Sequence, residues 1–417
     1  LRGRCLAALY LMSFLFLAGS ARLAAALIVA GCCACSMATA APFVPPNDTD
    51  VVETLPAKAD PAMRRVESLR QQLAARPTDN ALRLDIARRY FDLAMAQGDP
   101  RYVGYAASAL QPLATAGTPP VGYWLLHGML RQYSHDFEGA LQSLDKAAQA
   151  DPTSGEPHSW RAAIFMVQAR YPEALQACQQ LAPLTTPLTA IGCSAYARAA
   201  SGELTSAYTA LTQALAAEPG ASAELQVWQR TRLAEMALRL QRPAESENHL
   251  KAALKLGVTD QFLLGAHADY LLEQQRPAEV LQLLQGWERS DVLLLRLALA
   301  GQALKHPEAA NWASQLRERF VAAAQRGDRL HEQEAARFAL DIDKQPVQAL
   351  ALAQHNYTSQ KEPRDAEVLM RTALAAQQPK AAQPALDWLR TSRHEDPRLQ
   401  RLAAQLTAAL AGQGGAK

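Results

Sequence analysis

The sequence predicts an all-α fold, a solenoid of antiparallel helix pairs, on three observations. Strong helix formers dominate: Ala, Leu, Gln, Arg and Glu are abundant, β-branched runs are few, and prolines fall at intervals. Apolar residues make up 49% of the chain but aromatics only 6%, so the apolar content is mostly small and aliphatic. In HDFEGALQSLDKAAQADP (135–152), Ala140, Leu141, Leu144 and Ala147 share one face at helical spacing, and Pro152 closes the run. Alanine on that face lets a second helix approach closely, and the same arrangement returns about every 34 residues.

Residues 1–40 read as a secretory signal peptide in a bacterial style, with an apolar core and an Ala38-Thr39-Ala40 site for cleavage before Ala41. Val29-Ala30-Gly31-Cys32 resembles a lipoprotein box, the alternative, which would leave a lipidated Cys32 and a membrane lipoprotein. This segment holds three of the 42 basic residues and none of the 40 acidic ones, which leaves the rest of the chain at −1. A near-neutral body gives no electrostatic case for nucleic acid. Proline-rich residues 41–57 read as an extended leader or linker.

The repeat array spans 58–288. Small residues each followed four places later by a core-facing residue mark the second helix of each pair: Ala106–Leu110, Ala140–Leu144, Ala174–Cys178, Ala207–Leu211, Ser246–Leu250 and, more weakly, Val280–Leu284. Successive intervals are 34, 34, 33, 39 and 34. Twelve residues before the five later anchors stand Gly128, Ala162, Ala195, Ala234 and Ala268, with Ala87 in that role in the first unit. One such hairpin cannot bury its apolar face alone, so stacked neighbours supply the core. Beyond 288 the register loosens, but pairs continue to 417: 291–305 with 307–325, 328–343 with 345–359, 362–377 with 380–393, and a capping helix from Pro397. Prolines 307, 346, 363, 379 and 397 sit at the inferred helix starts, where a missing N–H costs nothing.

The pattern resembles the tetratricopeptide repeat family, whose signature runs W-x2-L-G-x2-Y, A-x3-F, P. Trp124, Gly128, Ala140, Leu144 and Pro152 fit it, while His127 and Arg131 depart from it. The resemblance implies a right-handed superhelix whose concave face binds another protein or peptide. It places Leu125, Met129 and Tyr133 on that face, with Phe91 in the first unit and Met166 and Tyr196 in the third and fourth. Glu235, Leu238 and Arg239 follow, then Asp269, Leu272 and Glu273, so the groove turns from apolar to charged along the array.

Chemistry-bearing patterns are weak. Gly192, Ser194 and Tyr196 brush against a G-x-S-x-G elbow, but the last glycine is absent and the repeat register puts them in mid-helix. His331 begins HEQEA, which lacks the second histidine of a zinc motif. No catalytic residue, metal ligand or cofactor is expected. Signal cleavage would remove Cys5, Cys32, Cys33 and Cys35 and leave Cys178 and Cys193, a pair at similar height on neighbouring helices and able to bond in an oxidising compartment. Against a bond, Cys178 takes the place of a core leucine, and an unpaired buried thiol acting as a small hydrophobe is the favoured reading. The whole describes a periplasmic or secreted, non-catalytic adaptor or assembly factor of the bacterial cell envelope. The alternative is an accessory subunit of an envelope enzyme or a binder of cell-wall polymer.

Overall fold

The computed structural model describes residues 61–115 and 117–414, with side chains to residue 412. The signal peptide, Cys32 and the linker lie outside the described residues. Among the described residues there are twenty α-helices and no strand, and these residues form one compact unit. No helix among them is long and apolar enough to cross a membrane.

After α1 (Pro61–Ala75), nine antiparallel pairs follow in chain order. They are α2 (Asn80–Gln97) with α3 (Arg101–Ala114), α4 (Val121–Tyr133) with α5 (Phe137–Ala150), and α6 (Glu156–Val167) with α7 (Tyr171–Leu181). Next come α8 (Pro187–Ala200) with α9 (Leu204–Ala217), α10 (Ala223–Arg239) with α11 (Pro243–Leu254), and α12 (Gln261–Glu273) with the short α13 (Pro277–Leu283). The last three are α14 (Asp291–Leu304) with α15 (Ala309–Gln325), α16 (Glu332–Asp341) with α17 (Pro346–Asn356), and α18 (Pro363–Ala375) with α19 (Gln383–Ser392). The chain ends in α20 (Pro397–Gly414). Packing continues unbroken through residue 288, where α13 lies against α14.

Local chemistry fixes the ends of these helices. Asp79, Asp136, Ser222 and Asp260 cap α2, α5, α10 and α12 by accepting a backbone N–H three residues on. Pro346, Pro363 and Pro397 open α17, α18 and α20. Pro307 instead lies two residues ahead of α15, and Pro379 opens a 3-10 turn before α19. The turn inside each pair carries one left-handed residue, and this position recurs with the repeat: Gly98, His135, Ala169, Gly202, Gln241, Gln275, Lys305, Lys344 and Gln377. At most of these turns the following N–H reaches back five residues, as Asp136 does to Arg131 and Arg276 to Leu271, which closes a Schellman motif.

The small residues do the packing work. Ala87, Ala140, Ala174, Ala207 and Ala268 have no exposed surface, and Ala162, Ala195, Ala234 and Gly128 are also buried. A Cβ on Gly128 would stand 2.8 Å from the Leu144 side chain and 3.3 Å from the Ala140 carbonyl oxygen, so α4 and α5 nearly touch there. Five buried clusters together cover the pairs, from Val66 in α1 to Leu406 in α20.

The array curls until later pairs meet earlier ones. Gln261 at the start of α12 donates to the Met95 carbonyl near the end of α2, and Gln360 meets His135. The backbone N–H of Lys361 donates to Val167 at 2.7 Å, and the Trp388 indole donates to the Tyr171 hydroxyl at 3.0 Å. The third pair is thereby closed by the ninth.

Candidate binding lumen

Closure converts the inner wall into a lumen of about 510 Å³, lined by the first helices of seven successive pairs, α6 to α18, and by the segment entering α20. The volume is that of an ordinary small-molecule or short-peptide site. Of the residues placed on the binding face from sequence, Met166, Tyr196, Glu235 and Arg239 line it, as do Leu238, Asp269, Leu272 and Glu273.

The other four are elsewhere. Phe91 and Met129 are 1% and 0% exposed and belong to the core between α1 and α4, so neither faces a ligand. Leu125 and Tyr133 are half-buried against the same core. Phe91 meets Tyr133 and Trp160 edge-on, with ring centres 6.4 and 5.6 Å apart. The third pair's Trp160 has covered the face that a helical wheel leaves open on the first two.

Charged pairs are spread along the lumen wall among apolar residues such as Met166, Leu272 and Leu299. Asp269 accepts from Arg296 at 2.6 Å and from both terminal nitrogens of Arg337 at 3.2 Å. Burial acts to raise the Asp269 pKa, but Arg296 and Arg337 outweigh it and hold the carboxyl well below the usual range. Arg371 donates to Asp341 at 2.6 Å. Arg398 pairs with Glu273 and, at 3.3 Å, with Asp396. Burial still pushes Glu273 up to about 7, against the pull of Arg398.

Other groups on the wall are poorly matched. Arg364 reaches carboxylates only at long range, Glu235 at 3.8 Å and Glu362 at 3.9 Å, and makes no hydrogen bond. Glu235 is raised by burial. Glu367, one turn on, makes no hydrogen bond or close ion pair among the described residues, though its charge acts on Arg337 and Arg398. His394 is 2% exposed. Its Nδ1–H donates to the Ala200 carbonyl at 3.2 Å, which leaves Nε2 a bare acceptor with no partner. Burial, aided by Arg239, pushes this imidazole down to about 3, so it stays neutral. Arg239 itself donates to the carbonyls of Ala199 and Glu395, across the closure.

Beside the lumen, Arg232 lies over Trp228 at 3.4 Å and Tyr196 at 4.2 Å. This cation–π stack stiffens α8 against α10. Ser194 bonds the carbonyls of Ala190 and Ile191 inside α8 and faces no base. Among the described residues, no group of three or more His, Cys, Asp or Glu is placed to hold a metal.

Cys178 and Cys193 form a disulfide, with Cα atoms 5.6 Å apart. This corrects the reading of Cys178 as an unpaired core residue. Burial and bonding are compatible here, because α7 and α8 run antiparallel and both cysteines face the same inter-helix core, 2% and 7% exposed.

The residues missed from sequence are those of the closure: Glu362, Arg364, Glu367, His394 and Arg398. They lie in the loosely phased part of the chain, where no repeat position marks a binding face.

Fold and site together define a helical-hairpin repeat protein whose inner wall encloses a charged lumen. No protein-family profile matches the chain, and no curated protein does. Among solved structures it is similar to yeast Tom70, at 11% identity over 84% of this chain and 86% of that one, with a TM-score of 0.40. It is also similar to the Cut9–Hcn1 hetero-tetramer of the APC/C, at 13% identity over 83% of this chain and 52% of that one (TM-score 0.36), and to the TPR domain of P58(IPK), at 14% identity over 81% and 99% (TM-score 0.23). The tetratricopeptide-like character of the fold rests on its own pairing, its recurring left-handed turn and its interval near 34.

Proposed function

We propose that this chain is a non-catalytic adaptor or assembly factor of the bacterial cell envelope, exported to the periplasm or beyond, which holds a protein or peptide partner against its inner wall. The observation that carries the reading is convergence: seven helices from successive pairs turn their inner faces on one cavity, and four residues assigned to a binding face from sequence line it. The resemblance to tetratricopeptide repeats, which work through that face, points the same way. Closure by α18–α20 favours an extended segment as the occupant over a folded helix. The Cys178–Cys193 bond supports an oxidising compartment, as do the signal-like residues 1–40.

Photocrosslinkers placed at Tyr196 and Glu235 in cells, with a convex-face control at Gln213, test the binding face. A discrete adduct from the lumen positions supports it, and adducts only from the control position overturn it. Export is tested by fusing residues 1–57 to a reporter active only outside the cytoplasm. Mass spectrometry then separates cleavage before Ala41 from diacylglyceryl Cys32. A reporter that stays inactive refutes the envelope assignment.

A further inference from the structure

We infer that the lumen is a recognition site for small zwitterions, molecules carrying an ammonium and a carboxylate, whether a free amino acid or the two ends of a short peptide. The inference deepens the proposed binding face by naming its ligand chemistry, and it rests on that face being the lumen.

Enclosed polar groups in a folded protein are nearly always satisfied, and those that are not call for a ligand or ordered water. Here groups without a hydrogen bond inside the protein are of two complementary kinds and face one cavity: Arg364, its side chain 47% exposed, and half-buried Glu367 meet lumen water, while His394 is buried. On the cationic side, Arg364 keeps all its N–H donors free of hydrogen bonds, its two carboxylates standing at 3.8 and 3.9 Å. The Tyr196 ring lies on the same wall, its hydroxyl without a hydrogen-bond partner among the described residues. On the accepting side stand the unpaired Glu367 carboxylate and the bare Nε2 of His394, a lone pair that only a donor can satisfy.

Spacing joins the two sides. Arg364 and Glu367 are three residues apart on α18, so they share a face at about 5–6 Å between Cβ atoms. They do not pair with each other: Arg364 turns to Glu235 and Glu362 instead. A zwitterion bridging this gap would set its carboxylate on the Arg364 guanidinium, a fork suited to carboxylate geometry, and its ammonium on Glu367. Elsewhere on the wall Asp269, Asp341 and Glu273 hold Arg296, Arg337, Arg371 and Arg398, and backbone carbonyls hold Arg239, so the wall presents both signs of charge to a ligand that carries both.

The test is calorimetric titration of the full mature chain with the twenty L-amino acids, dialanine and trialanine. N-acetylalanine (no ammonium), alaninamide (no carboxylate), succinate and putrescine serve as controls. At least one zwitterion should saturate, and blocking either end should weaken it about tenfold or more. A free amino acid as the tighter ligand identifies the amino-acid source, and di- or trialanine identifies the peptide source. Arg364→Gln and Glu367→Gln should each weaken binding about tenfold while leaving helicity and melting unchanged, since neither side chain makes a hydrogen bond in the free protein. The inference is overturned if no zwitterion binds up to about 10 mM, a free energy near −3 kcal/mol, if blocked analogues bind equally well, or if both variants bind as the parent does. Should crosslinks still form from Tyr196 and Glu235 while no zwitterion binds, the lumen stands as a binding face and this ligand class is wrong. Crosslinks only from the convex face, with no zwitterion bound, refute both.

Discussion

Removing the Asp269 carboxylate strands two guanidinium groups in the lumen wall. Arg296 is 1% exposed, and its remaining contacts are the Val292 carbonyl at 2.8 Å and Glu334 at a distant 3.9 Å. Its Nε is already without a partner. Breaking a buried ion pair from one side ordinarily costs about 3–5 kcal/mol, because the surviving charge is left uncompensated. The Asp269 side chain keeps 31% of its exposure, so lumen water can move in, and Asp269→Ala is placed at the lower end, about 3 kcal/mol. The assay is urea unfolding of the mature chain, with amide exchange along α12, α14 and α16 to localise the loss, since repeat arrays need not unfold in one step. Replacing both partners, Asp269→Leu with Arg296→Met, should recover most of the loss. The pH dependence has a definite sign. Asp269 has a depressed folded pKa, so its contribution is fully present above the unfolded value near 3.9 and disappears as pH falls through the lower folded value. A loss below about 1 kcal/mol at neutral pH, typical of an exposed pair, would refute the reasoning and mean that lumen water screens this triad as bulk water would.

Gly128→Ala sets two effects against each other: about 1 kcal/mol gained in helix propensity and about 1–3 kcal/mol lost by overpacking against fully buried Leu144. A net loss near 1 kcal/mol is expected from these two figures in chemical unfolding, and a net gain would show that Leu144 can shift. Reducing the Cys178–Cys193 bond, or Cys178→Ala with Cys193→Ala, should lower stability by about 3 kcal/mol for a loop of this length; unchanged unfolding with and without reductant would remove the bond's structural role. His394 is buried and neutral, with its folded pKa pushed down to about 3. The unfolded chain therefore takes up the proton first, and stability falls as pH drops from the ordinary histidine value near 6.5 toward 3. His394→Asn should flatten that acid limb, read as melting temperature against pH; an equally steep limb in the variant would place the titrating group elsewhere.

What the sequence determined by itself is everything that repeats. Ala140 beside Leu144, Gly128 twelve residues earlier and caps such as Asp136 act within one hairpin or between neighbours, so each leaves a local, periodic mark. The 39-residue step between the fourth and fifth units survives as the longer α10 and its approach, and the left-handed turns keep that step, from Gly202 to Gln241. The tertiary structure alone decided where the superhelix closes. Each pair is turned slightly on the one before, and only the accumulated rotation brings Lys361 to Val167, Trp388 to Tyr171 and Arg398 to Glu273. No single repeat encodes that sum. For the same reason a helical wheel exposed Phe91 and Met129, which the next pairs bury, and left Arg364, Glu367 and His394 unmarked until closure set them on the lumen wall.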